Sequence, residues 1–440
     1  MVTAFFFTSC QKFLDAKPDK RLVVPTTVND IQAMLDNTSD LNLGYANLSE
    51  SGSDNFYITD AAYNALSEEA RNAFLWNWQG LDDLQWYNMY RVVFLSNVAL
   101  ESLEKIEGAG TAAYNSVKGA AYFFRAFSFY HSAQIWTLPY DESTAALTPG
   151  LPLRLSSDIN LPTVRPNLKQ TYQQILDDIS NAIPLLPEVN VMPTRPNKAA
   201  AYALLARVLL QMNRFEEARV AASSALDIYN VLLDYNTINA SANAPIARFN
   251  TEVMFHAQAG ASDYEALRYT VARVDSNLYR SYNGNDLRQK VFFGSNTDGS
   301  YFFKAGYHGS RTDPRFCGLT VSEVYLIRAE CAARAGDIDS AFSDLKTLLG
   351  KRFKTGAAIV LPEIHNTDEA LLVVLQERRK ELCFRVGARW SDLKRFGAVA
   401  GTIVRKINNQ EYKLQPGDLK YAVLIPQSVI TMAGIQQNAR

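Results

Sequence analysis

The side chains of this 440-residue chain with most to offer chemistry are aromatic rings set among amides and carboxylates. Four stretches carry them: DNFYITD (54–60), FLWNWQ (74–79), QWY (85–87) and YFFKAGYHGS (301–310). A sugar lays its apolar C–H face on an aromatic plane while its hydroxyls bond to amides and carboxylates, so this composition reads as a glycan-binding surface. On that reading Tyr57, Trp76, Trp78, Trp86 and Tyr307 supply stacking, and Asp54 and Asn55 supply polar contacts. The competing reading is that rings such as Trp76 and Trp78 plug loops onto the core, where large aromatics mostly sit.

Bond-breaking chemistry finds less support. His131, His256, His308 and His365 lie far apart, with no cysteine pair or HExxH beside them, so they read as structural or solvated and no metal is expected. No GxSxG, Walker-type or dinucleotide glycine pattern occurs, and no cofactor is expected. SNTDGS looks like the start of a calcium loop but lacks the closing glutamate, and reads as a turn. The paired carboxylates of a glycosidase are matched in space, not in sequence. The adjacent pairs Asp82–Asp83 and Asp177–Asp178 point to different helix faces and read as solvated. In the charge-dense run 376–397, Leu371, Leu375 and Leu382 form a stripe on which Arg378 falls, with Glu377 and Glu381 on a neighbouring face. Arg378 is therefore expected to hold a buried carboxylate or loop carbonyls rather than a ligand.

The elements that must position these residues are mostly helices. Thr26 or Thr27 can cap a helix reaching about Asn37. A second runs from about Leu81 to Glu107, with Leu84, Tyr87, Val92, Leu95, Val98 and Leu103 as its apolar stripe, and turns at Gly108 and Gly110 into an antiparallel partner, Thr111 to Trp136. Four prolines make 148–167 an extended loop, and a further helix, about Leu168 to Ile183, stops at Pro184. Two later segments share one internal spacing: Tyr202, Ala206, Asn213 and Ala218 in the first, Tyr325, Ala329, Gly336 and Ala341 in the second. Small residues at those positions let antiparallel helices approach closely, which is the physical content of a tetratricopeptide unit. Residues 231–320 lose the helical period and alternate short apolar runs with Asn, Asp and Gly turns, so short strands and long loops are expected there. Loops held on a rigid scaffold are where binding residues usually sit.

Composition sets outer limits. The chain is 48% apolar and 20% charged, with 44 basic and 45 acidic residues and a net charge of −1, so no global field favours nucleic acid or an anionic membrane. Nothing after residue 10 approaches the 18 uninterrupted apolar residues of a membrane-spanning helix. Of the four cysteines, three remain if Cys10 is acylated, which permits at most one bridge and argues against a disulfide framework; Cys331 and Cys383, inside helical patterns, are expected to be free and inert. At the start, Phe5 to Phe7 run through Thr8 and Ser9 into Cys10, after which polarity rises sharply. That is the order in which a lipoprotein signal ends, and residues 1–10 read as the remnant of one, with Cys10 as the acylated residue and the upstream part missing.

The chain resembles the SusD/RagB family of Bacteroidota outer-membrane nutrient-binding lipoproteins. The resemblance rests on SCQKFLDAKPDKRLVVPTTVNDIQAMLDN at the start, GLPLRL with TYQQILDDISNAIPLLP, NKAAAYALLARVLLQM, SEVYLIRAECAARAGDIDSAFSDL, ERRKELCFRVGARWSDLKRFG and the closing VLIPQSVITMAGIQQNAR, in the family's order. FRVGARW departs by one extra residue between Phe384 and Arg389. The resemblance implies a mainly α fold over 11–440: one domain with a tetratricopeptide-like helical-pair core (about 25–230 and 320–400) and a loop-rich region with short strands (about 231–320). It further implies a non-enzymatic lipoprotein, anchored by Cys10 on the outer face of the outer membrane. Such a protein captures an oligosaccharide or peptide and delivers it to a SusC-like TonB-dependent transporter. The family's ligand site has no fixed motif, so no binding residue is carried over by position. A surface glycoside hydrolase and an intracellular helical-repeat adaptor are the rival readings.

Overall fold

The computed structural model describes residues 25–190, 192–260, 265–310 and 316–440; the expected lipid-bearing Cys10 lies outside them. The described residues are mainly α-helical, and their strands occur only in two-stranded pairs. Helix α1 (Val28–Leu35) begins in a capping box, with Thr27 Oγ1 accepting from the Asp30 amide and the Asp30 carboxylate accepting from the Thr27 amide. Helices α2 (Leu84–Leu103) and α3 (Ala112–Trp136) form the expected hairpin, and α4 (Leu168–Ala182) packs on α3.

The two repeats become two helical hairpins, α5 (Lys198–Gln211) with α6 (Phe215–Ile228), and α8 (Val321–Arg334) with α9 (Ile338–Leu349). Their shared spacing has a clear cause. Ala206, Ala218, Ala329 and Ala341 are all fully buried where the paired helices touch. Asn213 and Gly336 both take left-handed backbone, at φ 59° and 80°, to end the first helix of each hairpin. Helix α6 packs on α8, joining the hairpins into one scaffold, and α8 also carries α10 (Thr367–Glu381).

Two expectations change. The buried face of α2 runs through Trp86, Met89, Val93, Ser96 and Asn97, while Leu84 and Tyr87 are exposed. The apolar stripe misleads here because polar residues are buried for their hydrogen bonds: Asn97 Nδ2 donates to the Arg154 carbonyl and its Oδ1 accepts from Arg125. Nor is Asp178 solvated. It is buried on α4 and accepts two hydrogen bonds, of 2.6 and 2.8 Å, from Arg125 on α3.

Between α6 and α8 the described chain forms only short elements. Strand β1 (Phe56–Tyr57) pairs antiparallel with β2 (Arg273–Val274), which leads into α7 (Ser276–Arg280); β3 (Phe293–Ser295) and β4 (Tyr301–Phe303) form a hairpin around SNTDGS. Phe292, Phe293, Phe303, Phe316 and Phe384 pack beneath these loops in a second hydrophobic core. A fully buried ion network ties this region to α10: Arg352 holds Glu381 and Glu252, and Arg288 holds Asp286, Glu377 and Glu381. Glu377 and Glu381 thus face buried arginines, and Arg378, as its phase predicts, holds Asp392 on α11 (Ala388–Phe396). Beyond α11 a hairpin of β5 (Ile403–Ile407) and β6 (Gln410–Leu414) returns to residues 51–76.

Candidate functional site

The segment 50–57 is held from three sides, and that fixes what it displays. The α11 ring of Trp390 presses on Gly52, where a Cβ would stand 2.6 Å from the ring; only glycine fits. Trp76 Nε1 donates to the Gly52 carbonyl at 2.9 Å. Arg405 of β5 lies over the rings of Phe74 and Trp76, 3.9 and 4.4 Å from their centroids, and donates to the carbonyls of Ser51, Ser53 and Phe74. Burial without a carboxylate partner brings Arg405 down to about 9.

From this anchorage the chain presents Asp54 and then β1, whose alternation turns Phe56 inward and leaves Tyr57 41% exposed. Asp54 takes a two-pronged grip from Arg389, at 2.6 and 2.8 Å, with Arg379 at 3.3 Å. Burial pushes its pKa up, but Arg389 outweighs this and the carboxyl settles at about 2, ionised throughout the physiological range. Tyr57 and Asp54 line one cleft of about 520 Å³ between β1, the start of α7 and β5. Ser276, Asn277, Arg379 and Lys406 complete its polar wall, and Asp275 caps α7 while lying 3.5 Å from Arg379. Helix α7 extends this surface: its Tyr279 stacks on Tyr301 of β4 with centroids 3.5 Å apart, both rings half-buried.

The other proposed contacts lie elsewhere, for physical reasons. Asn55 is fully buried and donates to Glu50 at 2.9 Å. Trp76 is a wall of the Arg405 site, under the loop. Trp78 packs edge-on to Trp390 and donates to the Lys420 carbonyl. Trp86 has one face stacked on Tyr90 and meets Trp136 edge-on. Tyr307 is buried between the Arg385 guanidinium, 3.6 Å from its ring, and hydrogen bonds to Tyr235 and Glu252. Trp78 and Trp86 reach the walls of two other clefts only as almost fully buried rings, and Asp54 and Tyr57 alone of the seven share a cleft. The sequence reading missed Arg379, Asn277 and Tyr279. The cap signature Asp275–Ser276 marks the start of α7 and so brings Asn277 and Tyr279 into view, whereas Arg379 reaches the cleft by tertiary packing.

Beneath the cleft Glu50 is a buried carboxyl whose Oε1 accepts from Asn55 and Ser53 while Oε2 has no partner. Burial pushes it up to about 7 against the opposing hydrogen bonds. A raised folded-state pKa contributes stability that is complete below the unfolded value near 4.5 and is lost as pH rises through about 7. Glu50→Gln, neutral at every pH, is expected to flatten the decline of wild-type melting temperature between pH 5 and pH 8 and to be more stable at pH 8 by about 1–3 kcal/mol. Parallel wild-type and variant curves would show that Glu50 does not take up this proton on folding.

Residues 12–210 match the family model described as "Starch-binding associating with outer membrane", and residues 276–426 match that of the SusD family. A SusD-like protein of Formosa agariphila is 22% identical over 397 residues, covering 77% of this chain and 76% of that one. Among solved structures, a SusD superfamily protein from Bacteroides thetaiotaomicron has a TM-score of 0.75 at 24% identity, covering 94% of this chain and all of that one. A SusD-like carbohydrate binding protein from Bacteroides vulgatus has a TM-score of 0.69 at 17% identity, covering 93% of this chain and 97% of that one. The helical-pair scaffold is thus shared along nearly the whole chain, and the two family models together span most of the sequence from residue 12 to residue 426: the chain belongs to the SusD family.

Proposed function

We propose that this protein captures an oligomeric nutrient, a glycan, in the Tyr57 cleft at the bacterial surface. It hands the glycan, unbroken, to a TonB-dependent outer-membrane transporter while an acyl group on Cys10 holds it to the membrane. The observation that carries the reading is an exposed aromatic ring beside a fixed carboxylate, a guanidinium and an amide in one open cleft. A pyranose stacks its C–H face on Tyr57 while Asp54 and Arg379 take its hydroxyls, and a longer chain reaches Tyr279 and Tyr301 along α7. The family description and the carbohydrate-binding neighbour support the ligand class.

The same cleft argues against hydrolysis. Glycoside cleavage needs one carboxyl held protonated as the acid. Asp54 is ionised with both oxygens on Arg389, and Asp275 is committed to the α7 cap and Arg379.

Calorimetric titration against a panel of oligosaccharides and short peptides tests the proposal. Tyr57→Ala is expected to weaken binding of one glycan class about 10-fold, the loss of one stacking contact, with an unchanged melting temperature. Undiminished affinity in Tyr57→Ala would place the ligand elsewhere, saturation by peptides alone would change the ligand class, and sugar cleavage during titration would make the protein an enzyme. Mass spectrometry of the native protein checks the acyl group on Cys10.

A further inference from the structure

Away from the Tyr57 cleft the scaffold encloses a polar cavity that the proposed function does not use. It lies between α3, α5, the end of α10 and the turn into α11. Its volume is about 30 Å³ by the measure in which one water needs roughly 10–15 Å³, so it holds one or two atoms of that size. Five buried side chains on its wall each carry a polar atom without a hydrogen-bond partner: His131 Nε2, Gln134 Oε1, Gln211 Nε2, Arg378 Nη1 and Arg385 Nη2. Buried polar groups are satisfied as a rule, and five orphans on one cavity call for an occupant.

The chemistry of those atoms selects it. The two guanidinium nitrogens can only donate, the Gln211 nitrogen donates as placed, the Gln134 amide donates if turned, and a neutral imidazole can carry its proton on Nε2. All five can therefore serve as donors. Charge points the same way. Arg378 and Arg395 share Asp392, while Arg395 and Arg334 share Glu330, so three guanidiniums are balanced by two carboxylates. Arg385 finds its nearest carboxylate oxygen, on Glu252, only at 3.8 Å, and Glu252 is already engaged by Arg352, Tyr307 and Ser322. Arg385 itself is offset by the four carboxylates of the Arg352–Arg288 network, so the surplus beside the cavity is the single charge left by Arg378, Arg395 and the partly exposed Arg334, and an enclosed anion relieves it.

We propose that this cavity is a binding site for a monovalent inorganic anion of halide size, held by Arg378 Nη1, Arg385 Nη2 and Gln211 Nε2. The anion bridges α5 to the turn at Phe384–Gly387, where φ values of 57° and 88° hold the chain in left-handed backbone.

The test uses sodium bromide on the whole protein. Crystals soaked in bromide and measured at the bromine edge should show an anomalous peak between Arg378 and Arg385. Melting temperature in sodium bromide should exceed that in sodium gluconate of equal ionic strength, saturating at a rise of about 2 °C. Arg385→Gln should lose both effects. Should that variant fail to fold, Gln211→Leu, which fills the cavity without touching a charge, should lose them instead. An empty bromine map with coincident melts overturns the proposal in favour of buried water, and so does a peak that survives both substitutions without any effect on melting.

Discussion

Replacing Trp76 and Trp78 together with alanine is expected to abolish the folded state rather than to remove a ligand contact. Each ring is almost fully buried, and truncating a buried aromatic costs about 3–5 kcal/mol. Each indole also leaves a carbonyl behind, Gly52 for Trp76 and Lys420 for Trp78. Trp76 further takes away one wall of the Arg405 site, which holds the loop displaying Asp54 and Tyr57. Against a total stability of roughly 5–15 kcal/mol the combined loss is decisive even after allowing for coupling between neighbours. Urea unfolding followed by circular dichroism checks this. A double variant that unfolds at the wild-type urea concentration yet no longer binds sugar would return both rings to the binding surface.

The second large effect is expected at Arg352. It is fully buried, donates to both oxygens of Glu381, to Glu252 and to the Leu233 carbonyl, and lies 4.1 Å from the centre of the Tyr235 ring. Arg352→Leu leaves carboxylates buried without their main partner, a loss of about 3–5 kcal/mol. In the wild type, burial pushes Glu381 up but Arg352 more than reverses this and holds it below the usual carboxylate range. Without Arg352 only Arg288 and the more distant Arg385 still oppose burial, Glu381 titrates higher than in the wild type, and the variant's deficit grows as pH rises through the carboxylate range. Arg352→Leu with Glu381→Leu should recover part of the loss, since an apolar pair replaces a broken ionic one. With Glu381→Leu completing the cycle, single losses that simply add up to that of the double variant would mean that the pair carries no coupling.

What the sequence shows of this fold is what local physics writes into it. Thr27 caps because the carboxylate of Asp30 stands three residues on, and the two hairpins announce themselves because Asn213 and Gly336 occupy the same register among buried alanines. The hidden parts depend on partners distant in the chain. Asp178 reads as a surface carboxylate until Arg125, 53 residues earlier, reaches it. Trp76 and Trp78 read as a display of rings because nothing near them foretells Trp390 or Arg405. Of the seven chosen contacts, Tyr57 and Asp54 come together because β1 alternates about a loop fixed from both ends of the sequence. Asn55, between them, turns inward to Glu50.

The burial of every tryptophan decides how this protein can be watched. All five indoles, at 76, 78, 86, 136 and 390, are enclosed, and none lines the Tyr57 cleft. Their emission should be blue-shifted and inaccessible to iodide in the native protein, then move red on denaturation. The intrinsic signal is therefore a gauge of folding that filling of the cleft leaves nearly unmoved, and an optical reading of sugar capture needs a dye or a new indole placed at the rim.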